Sequence, residues 1–449
     1  NLFPLKVEFE KGNLKDFEIT PYETKAALAK ISAKAAAGPD QIKGRMLKLL
    51  SENNTERLTM ILNHEIKNNG LPEWWNEARG ILLSKTGEEI CSLADVRPIS
   101  IQNSLVKLVE QIFVTRHQRF QNQLSNNQAG FMANSSCMDS IQKLQFHVRH
   151  QQTRPTFIIS YDLSKAFDTI NRNKAIEIVD NTLKDDVLTE YLKSSLQPTK
   201  WLLNGEPTLS VQLSQGVPQG GVLSPFLFNL AIDKILHLGD SCPDEGTHLL
   251  GYADDILHIS KTTKNSVSEM RMIHDWCQAN DLRMNAKKIQ YLISKPNSND
   301  HLEFKKGDFM AGNDRILWNG TEVRRNKTMK YLGVQIDGAL TFKEHRTSLI
   351  TKMKLGEYAM TSLMNTKLAL TTKSFIVNTY LLPKMLYGIE LFQKTDNLDK
   401  GYGKLLNRAL KLRVAVNQVR LCLGINLKMP KYYRDYHLII RTAGWKKNL

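Results

Sequence analysis

Even the apolar stretch FIVNTYLLPKMLYGIELF is interrupted by Lys384, so no segment of this 449-residue chain reaches the length that a bilayer-spanning helix needs. No membrane partner is expected. Cysteine is scarce and dispersed: Cys91, Cys137, Cys242, Cys277 and Cys422 stand singly, which excludes a CxxC pair, a zinc knuckle or a disulfide framework read from spacing. Such thiols suit reduced, mostly buried positions in an intracellular protein. The opening NLFPLKVEFE has no signal-peptide pattern, and Asn at position 1 leads to the expectation of an excised or processed fragment. Internal repeats and long low-complexity tracts are also absent. Acidic charge is what the last third lacks. Residues 1–300 carry 34 basic and 34 acidic side chains against chain totals of 61 and 45, which leaves 27 basic and 11 acidic in residues 301–449. That asymmetry suggests polyanion binding by the C-terminal region, nucleic acid first, with a soluble basic face as the plain alternative.

What is present is enough apolar content for two or three packed units. Residues 22–68 read as helical, with AGPD breaking ETKAALAKISAKAA from IKGRMLKLLSENNTERLTMILNHEIKNN. EARGILLSK reads as a strand and SLVKLVEQIFVTRHQRFQNQL as one amphipathic helix. From residue 156 strands and helices alternate: TFIISYDL, then NRNKAIEIVDNTL, then a hairpin WLLNGEPTLSVQLSQG turning at Asn204-Gly205, then the buried helix SPFLFNLAIDKILHLG. HLLGYADDILHIS gives a hairpin, SVSEMRMIHDWCQANDL a helix, KIQYLIS a strand and ILWNGTEVRRNKTMKYLGVQI another hairpin. Beyond about residue 340 the pattern is basic and helical. The sum is an α/β core flanked by helical domains.

Chemistry concentrates in two places. TFIISYDLSKAFDTI ends an apolar strand on Asp162, a carboxylate that must be solvated, paired or metal-bound, and Asp168 follows six residues later. An aspartate in the place of Asp168, taken alone, is most often a helix cap. GYADDILHIS sets Asp254 beside Asp255 in a hairpin, where neighbouring carboxylates repel unless a cation neutralises them. Three carboxylates on adjacent strands supply the hard oxygen ligands that two Mg²⁺ ions take, for in-line phosphoryl displacement.

With these residues in view the sequence resembles the reverse transcriptases of non-LTR (LINE-type) retrotransposons, and more distantly those of group II introns. YADD (252–255) resembles the family's C motif, Asp162 with Phe167-Asp168 its A motif, and SQGVPQGGVLSPFLFNLAID (214–233) its B motif. AAGPDQIKGRMLK (36–48), RPISIQNSLVKLVEQI (97–112), QAGFMANSSCMDSI (128–141), LRMNAKK (282–288) and MKYLGVQIDGALTFKEH (329–345) follow in the family's order. The resemblance covers roughly residues 30–395, and eight ordered motifs are far more specific than any one of them.

The resemblance implies an α+β, right-hand polymerase fold: fingers, a palm with an antiparallel sheet, and a helical thumb. Its domains would be an N-terminal extension (1–30), fingers (31–150), palm (151–345, including part of the fingers and a primer-grip hairpin at 318–337) and a basic thumb with the start of a linker (346–449). Segment 297–317 reads as a family-variable insertion.

Roles carry over residue by residue. Asp162, Asp254 and Asp255, with the backbone carbonyl of Leu163, would hold two Mg²⁺ ions, Mn²⁺ serving as a substitute. Phe167 would be the steric gate that excludes a 2′-hydroxyl, its plain alternative being packing of the turn. Gln219 and Gly220 would floor the nucleotide pocket, while Arg97 and Lys85 would grip the triphosphate, a solvated strand end being the plain alternative for Lys85. Lys288 would protonate pyrophosphate, although Ile289 stands where the family often has Thr. Tyr252 and Ala253 would lie beside primer end and nucleotide, so that Ala253→Val is expected to alter nucleotide selection more than stability. Tyr331, Leu332 and Gly333 resemble the primer grip.

The implied partners are template RNA, a DNA primer or RNA/DNA hybrid, and dNTP, with the nucleus as the site of target DNA and RNP assembly in the cytoplasm. The implied activity is RNA-directed DNA synthesis from a nicked target 3′ end. A group II intron maturase and a nonenzymatic RNA-binding scaffold are the competing readings. The intact set of three aspartates speaks against the scaffold.

Overall fold

The structure, a computed structural model, describes residues 12–85, 96–121, 123–150, 156–203, 210–238, 247–261, 263–294, 310–311, 315–392, 396–409 and 434–435. The Asn204-Gly205 turn, Cys91, Cys242, Cys422, most of the 297–317 insertion and most of the C-terminal basic stretch lie outside them. In chain order come α1 (Pro21–Lys30), α2 (Gly44–Leu47), α3 (Glu52–Asn69), β1 (Glu77–Ser84), β2 (Val96–Gln102), α4 (Ser104–Arg116), α5 (Gln118–Gln121) and α6 (Cys137–His150). Then follow β3 (Thr156–Asp162), α7 (Ala166–Thr169), α8 (Arg172–Leu183), α9 (Asp186–Ser195), β4 (Thr199–Leu203), β5 (Ser210–Leu213) and α10 (Ser224–His237). Next are β6 (His248–Tyr252), β7 (Asp255–Ser260), α11 (Thr263–Ala279), β8 (Gln290–Ser294), β9 (Met310–Ala311), β10 (Arg315–Trp318), β11 (Thr321–Arg324), β12 (Thr328–Tyr331) and β13 (Val334–Asp337). The chain continues through α12 (Lys343–Met364), α13 (Leu370–Ile376), α14 (Leu382–Met385) and α15 (Asp396–Ala409). Helices interleave with mainly antiparallel sheets, an α+β arrangement. Among the described residues no helix is long and apolar enough to cross a membrane.

The chain divides into two compact units. The first comprises residues 1–135, 161–258 and 264–289. Its α1 starts at a reciprocal capping box, the Thr20 hydroxyl accepting from the Glu23 N–H and the Glu23 carboxylate accepting from the Thr20 N–H. Arg116, in the last turn of α4, forks onto the same carboxylate at 2.7 and 3.0 Å. Contrary to the helical expectation, the alanine-rich segment after Lys30 leaves the helix. Gly44 packs so closely there that a Cβ would lie 2.3 Å from the Ser32 carbonyl oxygen, so tertiary packing overrides propensity. The expected single helix through residue 124 also breaks, at His117.

The core of this unit joins α3, α4, α8, α9 and α10 around Phe17, Trp75, Phe113 and Tyr191. The Phe113 and Tyr191 rings lie 4.7 Å apart, and the Trp75 indole donates to the Tyr191 hydroxyl at 3.2 Å, satisfying two buried polar groups at once. A sheet of order β2-β1-β4-β5 stands beside this core, with β1 antiparallel to β2 and parallel to β4. Buried Tyr161, His258 and Glu269 form a hydrogen-bonded chain between the end of β3, β7 and α11.

The second unit comprises residues 136–160, 259–263 and 290–449. In it β3 pairs antiparallel with β8, from Thr156 opposite Ser294 to Ser160 opposite Gln290. Segment 318–337 is two hairpins meeting end to end rather than one, because two turns need positive φ: Asn319-Gly320 (44° and 73°) and Leu332-Gly333 (46° and 81°). Asp337 gathers the next loop, accepting from the N–H groups of Ala339, Thr341 and Phe342 at 3.1, 3.2 and 2.9 Å, and so delivers the chain into α12. The Leu332-Gly333 turn is tied to the helical end of this unit by Tyr387, whose hydroxyl donates to the Leu332 carbonyl at 2.8 Å.

Candidate active site

Three chain segments of the first unit converge at the end of β3. The Leu163 N–H donates to the Asp254 carbonyl, 3.3 Å, and the Asn285 N–H donates to the Asp162 carbonyl, 3.1 Å. Leu163, itself buried, forms an antiparallel bridge with Met284. This backbone knot brings together the A-motif aspartate, the YADD turn and the segment that carries Lys288.

The YADD turn is strained and braced. Ala253 has φ of 53°, a left-handed conformation that costs an L-residue energy, and a β-branched residue tolerates that region worst, so Ala253→Val carries a stability cost beside any effect on nucleotide selection. The brace is Gln128. Its buried side-chain oxygen accepts from the N–H groups of both Gly130 and Ala253, at 2.7 and 3.2 Å, while its backbone bridges Gly251. A Cβ on Gly130 would fall 2.2 Å from the Ala253 nitrogen, so only glycine allows this approach.

Charge is crowded here. Burial, then the charges of Asp254 and Asp162, pushes the Asp255 carboxyl up to about 6, and burial with Asp162 also raises Asp254. The cations opposing this are Arg97 and Lys288, both acting on Asp254. The Lys288 ammonium donates to the Asp162 carboxylate at 2.8 Å. Among the described residues, no three His, Cys, Asp or Glu side chains close into a ready-made metal cage.

The residues expected at the nucleotide pocket form a second cluster. Gln219 donates its side-chain amide to Asp168 at 2.7 Å, and burial raises the Asp168 carboxyl while the charges of Lys165 and Lys85 oppose that shift. Asp168 is thus a bridge to the B-motif loop, not the helix cap that its type alone favours. The Gln219 carbonyl accepts from the Ser100 N–H at 2.7 Å, which ties PQGG to the strand carrying Arg97. Gly220 has φ of 117° and a Cβ on it would meet the Ser100 carbonyl at 2.6 Å. Phe167 stacks on Phe228 with ring centres 4.3 Å apart and 8° between planes. Tyr331, Leu332 and Gly333 belong to the second unit, at the β12–β13 turn.

Supporting residues were not singled out from the sequence. Arg172 is buried and donates to the carbonyls of Gly216, Leu196 and Gln197 at 2.7, 2.9 and 2.8 Å, holding the start of the B loop. Glu110 is buried and accepts from the N–H groups of Val222 and Leu223 at 2.8 and 3.1 Å and from Gln102 at 2.9 Å, holding its end. Glu110 and Gln128 lie inside quoted motifs, RPISIQNSLVKLVEQI and QAGFMANSSCMDSI, so the motifs marked the places but not the contacts.

The sequence pattern of the reverse transcriptase (RNA-dependent DNA polymerase) family matches residues 83–336, more than half of the chain. The chain belongs to the reverse transcriptase family. This reverse transcriptase is 25% identical over 391 residues to an RNA-directed DNA polymerase from the mobile element jockey of Drosophila melanogaster, covering 83% of this chain and 41% of that protein. It is 24% identical over 390 residues to a retrovirus-related Pol polyprotein from the type-1 retrotransposable element R2 of Popillia japonica, covering 83% of this chain and 51% of that one. The chain therefore spans roughly two-fifths to half of the length of these curated relatives. A telomerase from Candida Tropicalis in complex with a fragment of telomeric RNA aligns with a TM-score of 0.44 and 12% identity, over 83% of this chain and 68% of that one. The relatives agree with the resemblance to non-LTR retroelement enzymes read from the motifs.

Proposed function

We propose that this reverse transcriptase is the polymerase part of a LINE-type retroelement protein, copying template RNA into cDNA from a DNA 3′ end with dNTP as substrate, at target DNA in the nucleus. The observation that carries the reading is the convergence of Asp162, Asp254 and Asp255, with Lys288 bonded to Asp162 and Arg97 acting on Asp254, while Gln219 bonds Asp168 beside Phe167 in sequence. The donor set suits divalent cations. Burial and neighbouring carboxylates raise the proton affinity of Asp254 and Asp255, and Mg²⁺ or Mn²⁺ would relieve that repulsion. When bound at Asp162, Asp254 and Asp255, two such ions would polarise the attacking 3′-hydroxyl and the leaving phosphate oxygen.

The chain's own residues do the rest. Arg97, on a strand pinned to PQGG, offers a fixed guanidinium fork to triphosphate oxygens, and Lys85 adds a point charge. Phe167, backed by Phe228, stands as a rigid wall against the sugar. Lys288, whose ammonium bonds the Asp162 carboxylate, would hold a proton for departing pyrophosphate. In the second unit, the Leu332-Gly333 turn would hold the primer strand, and the basic helices would contact duplex phosphates without reading sequence. The fingers, palm and thumb boundaries given above are part of this proposal.

The test is primer extension on an RNA template with dNTP and Mg²⁺, beside Asp254→Ala with Asp255→Ala. Extension by the wild type that the double variant loses supports the reading. Tight RNA binding with no incorporation by the wild type sinks it.

A further inference from the structure

Phe131 is half exposed, 51%, and its φ is 59°, a left-handed conformation that a bulky residue adopts only when the surrounding structure imposes it. Exposure and strain both disfavour an aromatic side chain here. Yet the loop is built to hold it. On one side, Gln128 accepts from the Gly130 N–H at 2.7 Å, and Gly130 is pressed against the YADD backbone. From α10, buried Asn229 donates to the Gly130 carbonyl at 2.9 Å and contacts the Met132 sulfur at 3.6 Å, fixing the residues on either side of Phe131. The ring so presented meets Phe167 edge-on, centroids 5.8 Å apart and planes at 80°. Phe167 is thereby held by two rings: stacked on buried Phe228 and met at an edge by Phe131.

We propose that Phe131 is a positioning residue for sugar selection: it fixes the Phe167 ring, so that the wall against a 2′-hydroxyl does not yield. The inference rests on the proposed polymerase reading and deepens it. A Phe167 ring supported on one side only could tilt to admit a ribose, whereas two perpendicular partners leave it one orientation. A base-stacking role would also use an exposed ring, but it would not require the edge-on contact to Phe167.

The experiment measures kcat/KM for dNTP and for the matching rNTP in single-nucleotide primer extension, with thermal melting alongside, for wild type, Phe131→Ala, Phe131→Tyr and Phe131→Gly. Loss of an aromatic pair corresponds to roughly 3- to 10-fold. The expected result is that Phe131→Ala and Phe131→Gly lower the dNTP:rNTP preference by about that factor, chiefly through better rNTP use, while Phe131→Tyr keeps it. Phe131→Gly accommodates the positive φ, so it stays folded if alanine proves disruptive. Unchanged preference in a folded Phe131→Gly overturns the inference, as does an equal fall in dNTP and rNTP use, which would indicate stacking on the base instead. A wild-type chain that extends no primer overturns the polymerase reading itself, a result separable from both.

Discussion

The Lys288 ammonium lies 2.8 Å from the Asp162 carboxylate, so the lysine expected to act as an acid is also the neighbour that neutralises a metal-ligand candidate. Lys288 and a divalent cation bound at the proposed site would compete for that carboxylate. Replacing Lys288 with Met should lower the Mg²⁺ concentration for half-maximal extension by about 2- to 5-fold, the range of a partly exposed ion pair. The maximal rate should fall in the same variant, because the ammonium proposed to protonate pyrophosphate is gone. A Mg²⁺ titration of extension rate reads both, and a raised Mg²⁺ requirement in Lys288→Met would refute the competition.

Ala253 has φ of 53° at the tip of the YADD turn and is only 7% exposed. Ala253→Gly relieves the left-handed strain but loosens the unfolded chain, so stability should change by less than about 1 kcal/mol. Ala253→Val should lose about 1–3 kcal/mol, since a β-branched residue suffers that conformation most and adds volume in a buried turn. Chemical denaturation midpoints decide the order. Equal stability of the valine and glycine variants would mean that the turn adapts at no cost.

The sequence disclosed what local chemistry dictates. Alternation and apolar runs marked β3, β7 and β8, and the adjacent Asp254 and Asp255 pointed to the turn where the structure crowds charge. What it concealed depends on long-range packing. Nothing in NNQAGF says that the Gln128 side chain will reach Ala253, 125 residues on, or that Phe131 will adopt a positive φ. The two hairpins of segment 318–337 blurred into one because Leu332 occupies a left-handed position that composition assigns to Asn or Gly. The helix expected beyond Lys30 failed for a similar reason, since alanine content cannot report that Gly44 must nestle against Ser32.

Glu110 is a buried carboxylate with three N–H donors around it and, among the described residues, no cation in hydrogen-bond contact, and burial raises its pKa. The Gln102 side-chain oxygen beside it is buried without a hydrogen-bond partner among the described residues. Glu110→Gln should therefore be tolerated within about 1 kcal/mol, because the charge is removed and a flipped Gln102 can accept from the new amide. Glu110→Ala should cost about 2–4 kcal/mol, since it strands the Val222 and Leu223 N–H groups at the start of α10. Denaturation of both variants tests the pair. A glutamine variant as unstable as the alanine one would show that the loop needs the negative charge.

Glu23 and Arg116 give the fold an acid-sensitive latch. The Arg116 hydrogen bonds first, and those of Thr20 after them, hold the Glu23 carboxyl down at about 2, against an ordinary 4.5. A depressed carboxyl stabilises the folded chain above its unfolded pKa and loses that contribution as pH falls through the folded one, so the window runs from 4.5 down to about 2. Both side chains are about one-quarter exposed, 27% and 25%, so solvent screening reduces the contribution to on the order of 1–2 kcal/mol. Arg116→Met should be less stable than wild type by about that amount at neutral pH, and the two stability curves should converge as the solution is acidified across this window. Glu23→Gln, which cannot titrate, should show a deficit that shrinks over the same range. Parallel curves for wild type and Arg116→Met would place the origin of any acid sensitivity elsewhere in the molecule.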